Sequence, residues 1–264
     1  MSDATPSWTA FLRRADACTH GVQIYEDLDD LARSVAAYLA AGFDAGEPGL
    51  VVATPEHVER FEAELDAAGW YAEQLRRNGL LRVEDADATL ERILVDGYPS
   101  AAAAEVVIGG LLDELAERFP NRTTRVFGEM VDLLSARGEA EAAVSLEELW
   151  NSLAWSRSFS LLCGYQLDLF NREAQVATLP EICRTHSHVL PAIDSAKLAV
   201  AVDRALDQVL GPARAGQVYA LVGEQIRRER VPAPQLALMW VSANIPALAD
   251  RILASARELY LAAA

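Results

Sequence analysis

"RVFGEMVDLL", residues 125–134, opens as an apolar strand, breaks at Gly128, presents Glu129 and runs on as a helix. A strand passing directly into a helix is half of a β-α-β unit. In open α/β sheets the crevice beyond the carboxyl ends of the strands is where ligands bind. Glu129 therefore has two readings. It can be a first-turn acid, stabilised by roughly 0.3–1 kcal/mol at a helix start, or it can line a crevice along the sheet edge.

The same alternation extends outward on both sides. "VQIY" (22–25) leads into "DDLARSVAAYLAAGF", where Leu31, Val35, Tyr38 and Leu39 keep helical spacing. "GLVVAT" (49–54), bounded by Pro48-Gly49 and Pro55, reads as a buried strand, and "EHVERFEAELDAAG" as a helix stopping at Gly69. "GLLRVEDA" (79–86) gives a third strand and "DATLERILVDG" a helix ending at Gly97. Pro99 then opens a long helix through about residue 119, closed by Pro120-Asn121. "TTRVFG" and "SFSLLCGY" (158–165) complete five strands, with "EMVDLLSAR" and "EAEAAVSLEELWNSLAW" between them. In the second of these helices Ala142, Leu146, Leu149 and Leu153 form the apolar stripe; Trp150 reads as core and Asn151 as solvent-facing. Strands alternating with helices predict an α/β domain with a mainly parallel sheet covered on both faces.

From Pro191 onward there is no strand signal. Residues 192–264 read as a small all-α module of about four helices, which sets the domains at 1–191 and 192–264. Asn244 can cap the final helix and Pro246 sits in its first turn. Ile245, Leu248, Ile252, Ala256 and Leu259 line one face. Four short helices can hardly enclose every apolar face there, Leu236, Leu238, Met239 and Trp240 included.

The chain has 264 residues and a net charge of -16, enough length for a core without disulfide or metal staples. That acidity excludes phosphate-neutralising nucleic-acid binding and docking on anionic lipid. The basic clusters Arg13-Arg14, Arg76-Arg77 and Arg227-Arg228 with Arg230 are short and read as solvated helix faces. Three scattered cysteines, no signal peptide at the N-terminus and no apolar run of spanning length predict a soluble cytoplasmic protein.

A phosphate loop requires G-x-x-x-x-G-K-[ST], and the junction after the first strand, "YEDLDDLARS" (25–34), has neither glycine nor lysine. Neither G-x-G-x-x-G nor G-x-S-x-G occurs, so dinucleotide binding and nucleophile-elbow chemistry lack support. The parallel reading instead gathers Tyr25, His57, Asp85, Glu129, Cys163 and Tyr165 along the strand ends as candidate ligand-binding residues, with Glu26, Thr54 and Glu84 beside them. "CRTHSH" (183–188) holds metal-competent atoms on Cys183, His186 and His188, with Cys163 available as a fourth. Their spacing fits no standard zinc pattern, and a buried Cys with capping His residues explains them; no metal or cofactor is expected.

Seven stretches carry a family resemblance: "HGVQIYED", "YLAAGFDAGEPGLVVATPEH", "NGLLRVEDADATLERILVDGYP", "RVFGEMVDLL", "LEELWNSL", "FSLLCGY" and "ICRTHSHVLP". From about His20 to Pro191 the chain resembles the MEDS domain, a methanogen/methylotroph sensory domain found in a dichloromethane-responsive repressor and in histidine kinases. The resemblance implies a RecA/KaiC-like three-layer sandwich that has lost its phosphate loop. It implies a non-catalytic sensor of small organic molecules that signals to an output domain. Glu129 would then stand where the ATPase relatives carry a metal-associated acid, but as a wall of a sensor pocket. The tail shows no DNA-binding or kinase module, so the output is expected from a partner protein, with a homodimer as a further arrangement. The competing functions are an interaction module with a vestigial pocket, and a metal-assisted enzyme using Cys183, His186, His188 and Glu129.

Overall fold

The computed structural model describes residues 8–190, 194–228 and 231–262. A short helix α1 (Trp8–Arg13) precedes β1 (His20–Tyr25), α2 (Leu28–Asp44), β2 (Gly49–Ala53), α3 (Pro55–Ala67), α4 (Ala72–Arg77), β3 (Leu81–Asp85) and α5 (Ala86–Ile93). A two-stranded hairpin follows, β4 (Leu94–Val95) and β5 (Tyr98–Pro99), then α6 (Ala101–Ala104), a π-helical segment (Glu105–Gly109) and α7 (Gly110–Arg118). After these come β6 (Thr124–Gly128), α8 (Met130–Ala136), α9 (Ala140–Leu153) and β7 (Phe159–Gln166). A second π-helical segment (Ala174–Thr178), α10 (Leu179–Thr185) and β8 (His188–Leu190) lead to α11 (Ser195–Leu210), α12 (Pro212–Arg228), α13 (Ala233–Asn244) and α14 (Pro246–Ala262).

The main sheet has six strands in the order β3-β2-β6-β7-β1-β8, and β2 pairs in parallel with β3 and β6, as does β6 with β7. β2 and β6 are buried along their whole length and β7 along all but its last residue, as parallel strands covered on both faces must be. Neighbouring residues of β7 show the two covers. The Tyr38 hydroxyl of α2 lies 2.6 Å from the Ser160 Oγ, while the Trp150 ring of α9 meets Phe159 edge-on at 6.1 Å. Successive strand residues point to opposite faces, so α2 and α9 lie on opposite sides of the sheet. The architecture is a three-layer α/β sandwich followed by a helical stretch.

Arg125, the first residue of the stretch that opened the sequence analysis, is 2% exposed. Its guanidinium donates to Glu47 at 2.7 Å and to the Leu12 carbonyl at 2.9 Å, and lies 5.0 Å from the Tyr38 ring. Gly42 makes room for it: a Cβ there would sit 2.6 Å from Arg125 Cγ.

Some local expectations change. The helix expected to run to Gly97 ends at Ile93, and Pro99 lies in the hairpin instead of opening the next helix. That helix starts at Ala101 under the Ser100 cap and is interrupted by the π-helical segment. Pro99 lacks an N–H, which an outer hairpin strand tolerates. β8 had no sequence signal beyond its three residues.

The described chain divides into two compact units: residues 1–23 with 27–166, and 24–26 with 167–264. The expected domain boundary at 191/192 lies outside the described residues, as do the side chains of Arg227, Arg228 and Arg230. Arg13, Arg14, Arg76 and Arg77 are exposed. In the second unit α11–α14 do not form a core by themselves. Ile24, Leu169, Phe170 and Leu179 join Leu198, Val202, Leu238, Val241, Ile252 and Leu253 in one buried cluster, which covers the apolar faces that four helices leave over. Asn244 closes α13 and donates to the Trp240 carbonyl at 2.9 Å, so it ends that helix.

Candidate functional site

Two polar clusters sit in the first unit. The first forms where β6 gives way to α8. Glu129 occupies the N-cap position of α8 yet makes no side-chain cap hydrogen bond. Its carboxylate reaches across to β2 instead: Oε1 accepts from the Thr54 amide and Oε2 meets His57 Nδ1, each at 2.5 Å. Thr54 is the N-cap residue of α3, and its own side chain makes no cap bond, so the Glu129 carboxylate lies at the positive end of that helix. Glu129 is 2% exposed, whereas the His57 side chain keeps 19% of its surface. Burial lowers the His57 pKa, but the hydrogen bond and charge of Glu129, with the charges of Asp132 and Glu56, outweigh it and hold His57 above its usual 6.5.

The second cluster lies between β1, β7 and α9. His20 starts β1, Cys163 and Tyr165 share one face of β7 at i, i+2, and Glu147 and Asn151 share one face of α9 at i, i+4. His20 Nδ1 is 3.0 Å from Asn151 Oδ1; His20 Nε2 is 3.3 Å from both Cys163 Sγ and Glu147 Oε2. The Tyr165 hydroxyl donates to Glu147 Oε1 at 2.8 Å. His20, Glu147, Cys163 and Tyr165 are all 5% exposed or less.

Burial sets the electrostatics of this cluster. It pushes the Glu147 carboxyl up to about 8, against the Tyr165 hydrogen bond, and pulls His20 down to about 4, against that of Asn151. The Cys163 thiol and the Tyr165 phenol are raised well above their ordinary values by burial, with the Glu147 charge adding to both. Burial thus favours the neutral form of both His20 and Glu147.

The family model of the MEthanogen/methylotroph, DcmR Sensory domain (MEDS) matches residues 19–187. The chain belongs to this family. None of the curated proteins matches it. MEDS is a sensory domain, and both polar clusters lie within the matched span.

Of the residues expected at the strand ends of this MEDS domain, His57 meets Glu129, and Cys163 and Tyr165 meet in the second cluster. Asp85 is exposed and its carboxylate accepts from Ala88 N at 2.8 Å, capping α5. Tyr25, at the end of β1, is 5% exposed and belongs to the second unit. That unit also carries Glu26, whose carboxyl is raised by burial and by the Asp168 charge, against Arg257. The same unit holds an open groove of about 730 Å³ lined by Asp168, Phe170, Val176, Leu253 and Arg257.

Cys183, His186 and His188 form no metal-ligand group by themselves among the described residues. α10 ends at Thr185; His186 Nδ1 lies 2.7 Å from the Ile182 carbonyl and His188 Nδ1 lies 3.0 Å from Ser187 Oγ. The metal-competent atoms of the first unit are elsewhere: His20, Glu147 and Cys163 offer nitrogen, oxygen and sulfur within 4.8 Å of one another. Sequence reasoning missed His20 and Glu147 as site residues and placed Asn151 in solvent. The available signal was the i, i+4 spacing of Glu147 and Asn151 on the same side of α9 as Trp150. Trp150 is core, as expected, at 1% exposure.

Proposed function

We propose that this MEDS chain is a non-catalytic module that binds a small organic ligand at the carboxyl ends of its strands. It passes the outcome to a partner protein carrying the output, in transcription regulation or signal transduction. The observation that carries this reading is the Glu129–His57 pair: a buried carboxylate fixed by two donors, holding a partly exposed imidazole at the sheet edge of a sensory-domain family member. A group fixed in advance loses little entropy on binding, as a sensor of weakly functionalised molecules requires. The parallel sheet covered on both faces supports descent from a RecA/KaiC-like core, and no glycine-lysine phosphate loop follows β1. No helix of the described residues is long and apolar enough to cross a membrane. All three cysteines are free, which supports a cytoplasmic setting.

The test is a thermal-shift screen of the full chain against dichloromethane, short alcohols, short carboxylic acids and nucleotides, repeated on Glu129→Gln and His57→Gln. Saturation at 100 times Kd stabilises the folded state by about 2.7 kcal/mol. At least one organic class is expected to raise the melting temperature of the wild type and to lose most of that shift in both variants. No shift with any class, or a shift unchanged in both variants, overturns the assignment.

A further inference from the structure

We propose that His20, Glu147 and Cys163 form a binding site for a divalent transition-metal ion of the zinc class, separate from the Glu129–His57 pair. Three independent features of the cluster support this.

The first is geometry. Zinc bonds of about 2.0–2.3 Å to nitrogen, oxygen and sulfur in a tetrahedral shell put the donor atoms about 3.3–3.6 Å apart. The three edges of the donor triangle are 3.3 Å for His20 Nε2 to Cys163 Sγ, 3.3 Å for His20 Nε2 to Glu147 Oε2, and 4.0 Å for Cys163 Sγ to Glu147 Oε2. One face of an irregular tetrahedron is thus already assembled, and a shift of a few tenths of an ångström closes its long edge. A fourth donor, water or a further side chain, completes the shell.

Orientation is the second. Metal-bound imidazoles and carboxylates are held by partners on their other atoms. Asn151 Oδ1 meets His20 Nδ1 and the Tyr165 hydroxyl donates to Glu147 Oε1, and in that orientation Nε2 and Oε2 face Cys163 Sγ at 3.3 and 4.0 Å. The orienting partners sit on the two elements that also supply Glu147 and Cys163, so the sheet and α9 fix the whole set.

The third is charge. Buried charge is tolerated where it is paired or coordinates a metal. Binding M²⁺ to a thiolate, a carboxylate and a neutral imidazole leaves a net charge of zero, with two protons released from the thiol and the carboxyl. Nothing is oxidised or reduced. Mixed nitrogen, oxygen and sulfur donors suit Zn²⁺ and, as its spectroscopic substitute, Co²⁺; they do not suit Mg²⁺ or Ca²⁺, which take oxygen ligands.

The experiment uses the full, untagged chain, stripped with chelator and dialysed against Zn²⁺ or Co²⁺. The wild type is expected to retain about one metal per chain, and its Co²⁺ form to show thiolate-to-cobalt charge transfer with the intense visible bands of a four-coordinate site. Cys163→Ser should lose the charge-transfer band, and Asn151→Ala should weaken affinity about 10–100-fold. Cys18→Ser, which removes the exposed thiol, should leave metal content and band unchanged. Circular dichroism checks that each variant folds, and the wild-type spectrum decides the matter even where one does not. A wild type that holds less than about a tenth of an equivalent, or a band that persists in Cys163→Ser and vanishes in Cys18→Ser, overturns the proposal. None of these outcomes depends on whether Glu129 and His57 bind an organic ligand.

Discussion

Replacing Arg125 by Met keeps the apolar stem beside Gly42 and deletes the guanidinium from the interior of the first unit. Three kinds of contact disappear. The ion pair with Glu47 at 2.7 Å is lost, as are the hydrogen bond to the Leu12 carbonyl at 2.9 Å and the cation–aromatic contact with Tyr38. Glu47 keeps 19% of its side-chain surface, so its charge is only partly returned to water. Removing one partner of a buried pair costs about 3–5 kcal/mol, most of it from the charge left behind. For a unit of this size each kcal/mol moves the melting temperature by about 2–4 °C, so a fall of about 10 °C is expected. Changing Glu47→Gln in the same chain removes the stranded charge and should restore about 1–2 kcal/mol, the sign expected of a coupled pair. Four of the five tryptophans (Trp8, Trp70, Trp150 and Trp155) lie in this unit, so urea unfolding followed by their fluorescence reports on it. A loss below about 1 kcal/mol in Arg125→Met, or a double variant no more stable than the single, refutes the assignment of Arg125 as the residue that ties β6 to α2 and the chain before β1.

His57 should titrate above 6.5, because Glu129 and its acidic neighbours together outweigh the burial that lowers it. A raised histidine pKa gives stability that is complete below pH 6.5 and lost as pH rises through the folded value, so the advantage of wild type over His57→Gln should shrink over that interval. An NMR midpoint at or below 6.5 for the His57 ring contradicts this. A chain cut after residue 191 removes α11–α14 from Ile24, Leu169, Phe170 and Leu179, so it should bind hydrophobic dye and self-associate. A monomeric fragment as stable as the full chain, seen by light scattering and urea unfolding, excludes that dependence.

What could be read from the sequence follows from short-range physics. "GLVVAT", "TTRVFG" and "SFSLLCGY" announce themselves because a parallel strand covered on both faces must be apolar at successive positions, and turn residues bound it. The helices follow from periodicity, and the strandless tail from its absence of alternation; the four helices α11–α14 stand where that pattern puts them. Local signals also misled where two outcomes were close in energy. Pro99 suits a helix start and an outer hairpin strand alike, and only the pairing with Leu94 decided between them.

The polar clusters lie beyond such reasoning. Glu129 beside a helix start reads as a cap, yet its carboxylate is spent on Thr54 and His57, more than seventy positions earlier in the chain. Asn151 reads as a solvent-facing residue at the edge of an apolar stripe, but its partner His20 stands 131 positions away. A polar side chain is buried only when another element brings the group that satisfies it, and no local pattern records which element will arrive. The sequence alone determined five strands of the main sheet, the helical tail and the family resemblance. Which histidine meets which carboxylate was decided by the order in which β1, β7 and α9 pack.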